Sequence, residues 1–375
     1  MSLTVLIWFG LFGLFSMLAM LRPAWGIALY LMTFYASPHF WWWGDGVTGI
    51  IGDRVNLTAA LVFAVAVLVN RTSAEEQLTR TQRNLLLILL VYALNATFVH
   101  LFFAANPARS FMGMTMLWKQ VGLLLLIVLS VRDARDVKIL IGSIIIGTLY
   151  IAYEIVINDR GRISQSRLEG VGAPGAAESN YLAGLMLLAI PLAGYWLFFG
   201  SWKLRALAVP ALVLIFEVIL RCNSRGAFLA TMAAGGWLLI SARGRARKYA
   251  LYGVVLGVGA AYFMIGDQDI IDRFSSTFAS GEERDHSAES RINFWRVVVR
   301  MIAAHPVGSG AEAAFKSDLG AGYISAFYTG HKAVHQGYLD IAAAWGLQGF
   351  LLYMSAIVIS CVGADRRVRE ARRQG

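Results

Sequence analysis

Apolar residues in this chain come in long blocks parted by short polar connectors. Blocks at about 3–21, 24–43, 55–70, 84–104, 110–130, 137–157, 180–200, 206–222, 226–241, 248–265 and 337–362 approach or exceed 18 mostly apolar residues. At the rise of a helix, runs of this length recurring along the whole chain read as membrane-crossing segments. The pattern predicts an all-α polytopic membrane protein with about eleven (10–12) transmembrane helices. The first block lacks a basic leader and a small-residue cleavage site, so it reads as a retained helix.

Charge on the connectors orients the bundle. The segments 71–83 (RTSAEEQLTRTQR), 132–138 (RDARDVK), 201–205 (SWKLR) and 243–248 (RGRARK), with the tail DRRVREARRQG, fall on one side if every span is real. That side collects nearly all the short basic loops and is therefore cytoplasmic, which puts the carboxy terminus inside and the amino terminus outside. Cys222 and Cys361 then lie on opposite sides, too far apart for a disulfide.

The opposite side receives two long segments, 158–179 and about 266–336, which are exempt from the positive-inside bias. Within the second, residues 281–290 read as a solvated stretch. In ESRINFWRVVVRMIAA (289–304), Ile292, Trp295, Val299 and Ile302 recur at helical spacing, with Arg296 and Arg300 on another face. This predicts an amphipathic helix resting on the membrane interface, ended by Pro306 and followed by a turn-rich connector. The final hydrophobic helix begins beside His335, and Gly346 and Gly349 thin one face of it.

Composition adds little to the class but narrows the partners. The chain is 58% hydrophobic and 15% charged, with a formal net charge of +10. In a membrane protein loop arginines report orientation first, so no nucleic-acid partner is implied. Three tryptophans in SPHFWWWGDG (37–46) read as an aromatic belt at headgroup depth. Lys119, well inside the fifth span, needs a cavity or an acidic partner. Glu154 and Glu217 are the structural candidates, and a role near a lipid-linked substrate is the alternative.

Candidate chemistry gathers on the outer side. Arg167 lies in RLEG, Arg225 in the turn NSRGAF, Arg291 at the start of the amphipathic helix and His335 at the start of the last span. Singly, an arginine at a helix end snorkels or meets headgroups, and a histidine there is a polar end residue. Together they suit a diphosphate, because forked, permanently charged guanidinium groups match phosphate oxygens and stabilise charge on a leaving group. Gly226 would let the backbone approach such a ligand closely. A neutral imidazole at a helix amino terminus can orient or deprotonate a hydroxyl. His331, one turn before His335, makes a two-histidine metal site conceivable, but no carboxylate motif accompanies it.

These residues resemble the O-antigen ligase and polymerase superfamily of bacterial envelope glycosyltransferases. His335, Gln336, Gly346 and Gly349 fit the ligase spacing of His, a small polar residue, nine residues, Gly, two residues and a small residue. Arg291 and Trp295, with Pro306, Gly308 and Gly310, resemble its R-x-x-x-W and P-x-x-G-x-G patterns. SRGAFLA (224–230) and RLEG…ESNYLAG (167–184) resemble its Ser-Arg-Gly turn and its first outer loop, which ends here in Asn180. The resemblance covers about 160–350. Residues 37–46 and LWKQ further resemble a subgroup of O-glycosylation ligases found with exosortase systems.

The resemblance implies a transmembrane scaffold over 1–157 and a catalytic region over 158–375, including the loop 266–336 and the last span. It implies a metal-independent enzyme with no cofactor, set among inner-membrane lipids. That enzyme would move a glycan from undecaprenyl diphosphate to an acceptor hydroxyl of a lipid, protein or glycan on the periplasmic face. Arg167, Arg225 and Arg291 would hold the diphosphate and His335 would serve the acceptor, with Lys119, Gln336 and Asn180 as secondary residues. A repeat-unit polymerase using the same donor is the nearest rival. A lipid-linked saccharide transporter is a rival of another class, but the chain shows no convincing internal repeat and gathers its polar residues at one interface.

Overall fold

The computed structural model describes residues 2–45, 47, 54–70, 78–164, 167–172, 178–264, 286–324 and 336–374. In chain order the helices are α1 (Leu3–Leu21), α2 (Ala24–Tyr35), α3 (Val55–Val69), α4 (Arg80–Phe103), α5 (Pro107–Ser130) and α6 (Ala134–Val156). A two-stranded hairpin, β1 (Arg162–Ser164) and β2 (Arg167–Glu169), precedes α7 (Ser179–Phe199), α8 (Trp202–Arg221), α9 (Arg225–Ser241) and α10 (Gly244–Met264). Then come α11 (His286–Ala304), α12 (Ala313–Lys316), α13 (Asp318–Ile324) and α14 (Gly337–Gln374).

A helix occupies each of the eleven apolar blocks, and among the described residues six helices are long and apolar enough to cross a membrane. The chain is an all-α polytopic membrane protein. Burial runs the way lipid demands. On α7, Ala183, Ala189 and Ala193 are fully buried, while Tyr181, Leu188, Tyr195 and Phe199 are exposed. Small residues let helix backbones approach, and large apolar ones face a solvent as apolar as themselves.

The chain divides into two compact units, 1–72 with 130–275 and 73–129 with 276–375. The first contains α1–α3, α6, the hairpin and α7–α10. Its core joins Ile145, Ile151 and Ile155 of α6 to Met186 of α7 and Ile215 of α8. Helix α2 ends at Tyr35, short of the expected boundary, because a 3-10 turn at Trp42–Gly44 folds the tryptophan segment inward. Trp41 and Trp43 are buried, donating to the Tyr35 carbonyl and the Tyr150 hydroxyl, respectively. Trp42 is exposed and donates to Glu154. Two of the three tryptophans thus belong to the core and not to an aromatic belt.

At the α1–α2 connection, Arg22 bonds both Asp133 and the buried Asp136, the N-cap and third residue of a capping box on α6. The Asp136 N–H and the Arg22 guanidinium hold the Asp133 carboxyl below the usual carboxylate range, and the two carboxylates raise the pKa of Arg22.

The second unit contains α4, α5 and α11–α14. Helix α11 begins at His286, inside the stretch expected to be solvated. Its Phe294, Val297, Val298 and Met301 are buried in a cluster with Ala313, Ile324, Ala342 and Ala343. Of the expected interfacial stripe, Ile302 is buried in this same cluster, and only the other three residues form a second face. Ile292, Trp295 and Val299, with Arg296, Arg300 and Leu339, line an open groove.

Candidate functional site

In the first unit, one cluster is built around Asn180. Register in the hairpin pairs Ile163 with Leu168 and Ser164 with Arg167. Leu168 is buried, and the Ser179 hydroxyl donates to its carbonyl at 2.7 Å, fastening the hairpin to the start of α7. Arg167 is thereby aimed at the α8–α9 turn. It donates to Asn180 Oδ1 at 2.7 Å and to the Cys222 carbonyl at 3.4 Å. The Ser224 hydroxyl donates to the same Asn180 oxygen at 2.9 Å.

The turn between α8 and α9 has a local logic. Asn223, at φ 44°, takes the left-handed position that ends α8, a conformation Asn tolerates well. Ser224 caps α9 by accepting from the Ala227 N–H. Arg225 is the first residue of α9, and Gly226 follows, where a β-carbon would meet only Ser224 Oγ, at an ordinary 3.9 Å. The structure therefore brings Arg167, Asn180 and the Ser224–Arg225 turn together. Ser224 and the Cys222 carbonyl were not singled out from sequence; the capping pattern of a Ser before a helix was the available signal.

Lys119 is exposed on α5 in the second unit. Its two candidate partners are engaged within the first unit. Glu154 accepts from Trp42 and Asn158, and Glu217 pairs with Arg221 at 2.9 Å.

In the second unit Arg291 lies on α11, and His335 and His331 lie outside the described residues. Gln336 caps α14, its side-chain oxygen accepting from the Leu339 N–H. Helix α14 is not continuous. Gly346, at φ 78° and ψ 174°, breaks it into two halves. That backbone geometry is essentially confined to glycine.

The segment 306–310 enters the break. Ser309 N–H donates to the Ala343 carbonyl and Gly310 N–H to the Ala344 carbonyl, both at 3.0 Å. Leu347 N–H donates back to the Pro306 carbonyl at 2.9 Å, and the Gln348 amide to the Val307 carbonyl at 2.7 Å. A third carbonyl at the break, on Trp345, accepts from Asn95 of α4 at 2.8 Å. Each bond satisfies a backbone donor or acceptor that lipid could not, so the break persists because this segment and the Asn95 and Gln348 side chains replace the lost ladder.

The glycines of both patterns serve this one interlock. A side chain on Gly308, itself at φ 101°, would sit 2.6 Å from the Gly346 nitrogen. One on Gly346 would overlap the Val307 carbonyl, and one on Gly349 would lie 2.9 Å from the Asn95 amide. Gly310, at φ 86°, packs against Ser110. The expectation that Gly346 and Gly349 thin a helix face is thus replaced by a sharper role. Asn95 and Gln348 went unnoticed in the sequence, although an Asn within ILLVYALNATFVH is a polar group at membrane depth that must find a partner.

No curated protein and no solved structure matches the chain. Residues 210–354 match the O-antigen ligase family, a segment that runs from within α8 through the Ser224–Arg225 turn, α11 and the α14 interlock. The match covers less than half of the chain and supports an O-antigen ligase-like segment within it.

Proposed function

We propose that this protein is a glycan ligase of a bacterial inner membrane, transferring a saccharide from undecaprenyl diphosphate to an acceptor hydroxyl on the periplasmic side. The observation that carries the reading is the interlock. The glycines spaced as in the ligase pattern converge on one break, separated from Gln336 by nine residues and inside the segment that matches the family. This gives the spacing a structural purpose, holding the short helical arm that follows His335.

In the proposed reaction Arg167, Arg225 and Arg291 bind the donor diphosphate. Asn180 orients Arg167, supported by the 2.7 Å bond between them. The acceptor oxygen attacks the anomeric carbon and forms the new glycosidic bond. His335 takes the hydroxyl proton, the bond from the anomeric carbon to the diphosphate oxygen breaks, and undecaprenyl diphosphate departs with its charge held by guanidinium groups. Gln336 and Lys119 are secondary residues. No metal takes part. Direct displacement inverts the anomeric carbon, and retention in the product by NMR would refute it.

The test is expression of wild type and His335→Ala at matched levels in a host lacking the gene, with the lipid-linked glycan followed by mass spectrometry. Transfer by wild type and retention of the glycan on its carrier in the variant support the reading. The acceptor's mass separates a ligase from a polymerase that extends a second lipid-linked glycan. Equal performance by the variant removes His335 from the chemistry and favours transport.

A further inference from the structure

We infer that Asn95, on a helix outside the segment that matches the family, is a positioning residue for the site at the start of α14; the inference rests on the ligase reading above. Helix α14 has two halves, and the first, residues 337–345, is the one next to His335 in sequence. Across the break the usual ladder is absent, so the orientation of that nine-residue arm is set by whatever meets its freed carbonyls. Ala343 and Ala344 are met by the segment 306–310, which α11 delivers. Trp345 is met by Asn95.

Asn95 is suited to this task and to little else. It lies on α4 beside the buried Tyr92, Ala96 and Val99, which pack with Ala344 and Trp345 in one cluster. Its amide passes directly over Gly349, where a β-carbon would come within 2.9 Å. A β-carbon there would also stand 2.7 Å from the Trp345 β-carbon, so the small residue that ends the ligase spacing leaves room both for Trp345 and for the amide that reaches its carbonyl. Trp345, itself buried, transmits the restraint to the arm. Asn95 touches neither donor nor acceptor in this scheme and acts through the backbone of α14.

Full-length wild type, Asn95→Leu, Asn95→Gln and Gly349→Ala are compared in lipid nanodiscs and in membranes of a host lacking the gene. Three quantities are read: amide hydrogen exchange over 337–349, binding of undecaprenyl diphosphate, and glycan transferred per protein copy. In Asn95→Leu, exchange in the arm rises about tenfold while α7 and α8 are unchanged. Undecaprenyl diphosphate binding stays within about twofold, and transfer falls by roughly tenfold to hundredfold, the scale of a misplaced catalytic group. Asn95→Gln, which keeps the donor, recovers part of both effects. Gly349→Ala reproduces the loss, and the double variant Asn95→Leu/Gly349→Ala is no worse than the poorer single one.

Wild-type exchange or wild-type transfer in Asn95→Leu overturns the inference. Loss of carrier binding together with raised exchange throughout the chain also overturns it, because Asn95 would then serve folding in general. If wild type itself transfers no glycan, the ligase reading fails; the exchange data then decide alone whether Asn95 holds the arm.

Discussion

Replacing Gly346 by alanine gives the most direct test of the interlock. Its φ of 78° and ψ of 174° place it where only glycine is at ease, so the backbone term alone costs about 1–3 kcal/mol. The added β-carbon would overlap the Val307 carbonyl and stand 2.6 Å from the Gln348 amide nitrogen. Residues 306–310 must then withdraw, weakening the bonds from Leu347 N–H to Pro306 and from Gln348 to Val307, each worth about 1 kcal/mol. The sum is about 3–5 kcal/mol, a loss of at least about a hundredfold in the folded-to-unfolded ratio. Gly122→Ala on α5 is the control, because open space surrounds that position and alanine suits a helix better than glycine. Both variants are unfolded by SDS titration in mixed micelles, with tryptophan fluorescence as the signal. Gly346→Ala should unfold at a clearly lower SDS fraction than wild type, with Gly122→Ala at or above it. Coincident midpoints for the two variants would refute the account of the break.

Three further predictions concern the first unit. Arg22→Leu leaves the buried Asp136 carboxylate without its cation and should destabilise the protein by about 3 kcal/mol, whereas Arg22→Lys should cost less; thermal unfolding in detergent measures both. The depressed Asp133 pKa gives stability that is complete above the unfolded carboxylate value, about 4, and that fades as pH falls through the lower folded value. Asp133→Asn should flatten the acid side of the curve of unfolding temperature against pH, and parallel curves would argue against the linkage. At the Asn180 cluster, Arg167→Lys keeps the charge but loses the fork shared between Asn180 and Cys222. Donor KM should rise by about tenfold with kcat less affected, and an unchanged KM would remove Arg167 from donor binding.

The helices were legible because long apolar blocks stand out from their polar connectors. Their ends were less so, and α2 stops at Tyr35 since the tryptophan segment folds back onto Tyr150, a contact far away in sequence. The two faces of α11 show a different limit. Apolar residues at 292, 295 and 299 and at 294, 297, 298 and 301 both satisfy helical spacing, and periodicity does not say which meets protein. Arg167 and Asn180 were found because charged and polar side chains beside membrane blocks are conspicuous. The break at Gly346 was not, since an apolar run containing glycine looks the same whether its helix continues or stops. What decides is a partner for each freed carbonyl, and those partners lie at 95 and 306–310.

The break also constrains how the protein is assembled. A helix with an interrupted ladder leaves the bilayer with bare carbonyls until their partners are in place, so α14 is a poor candidate for independent insertion. All of those partners precede it in the sequence. A chain emerging from the ribosome thus presents α4, α11 and the segment 306–310 before the broken helix arrives, and α14 completes the second unit by docking onto surfaces already made.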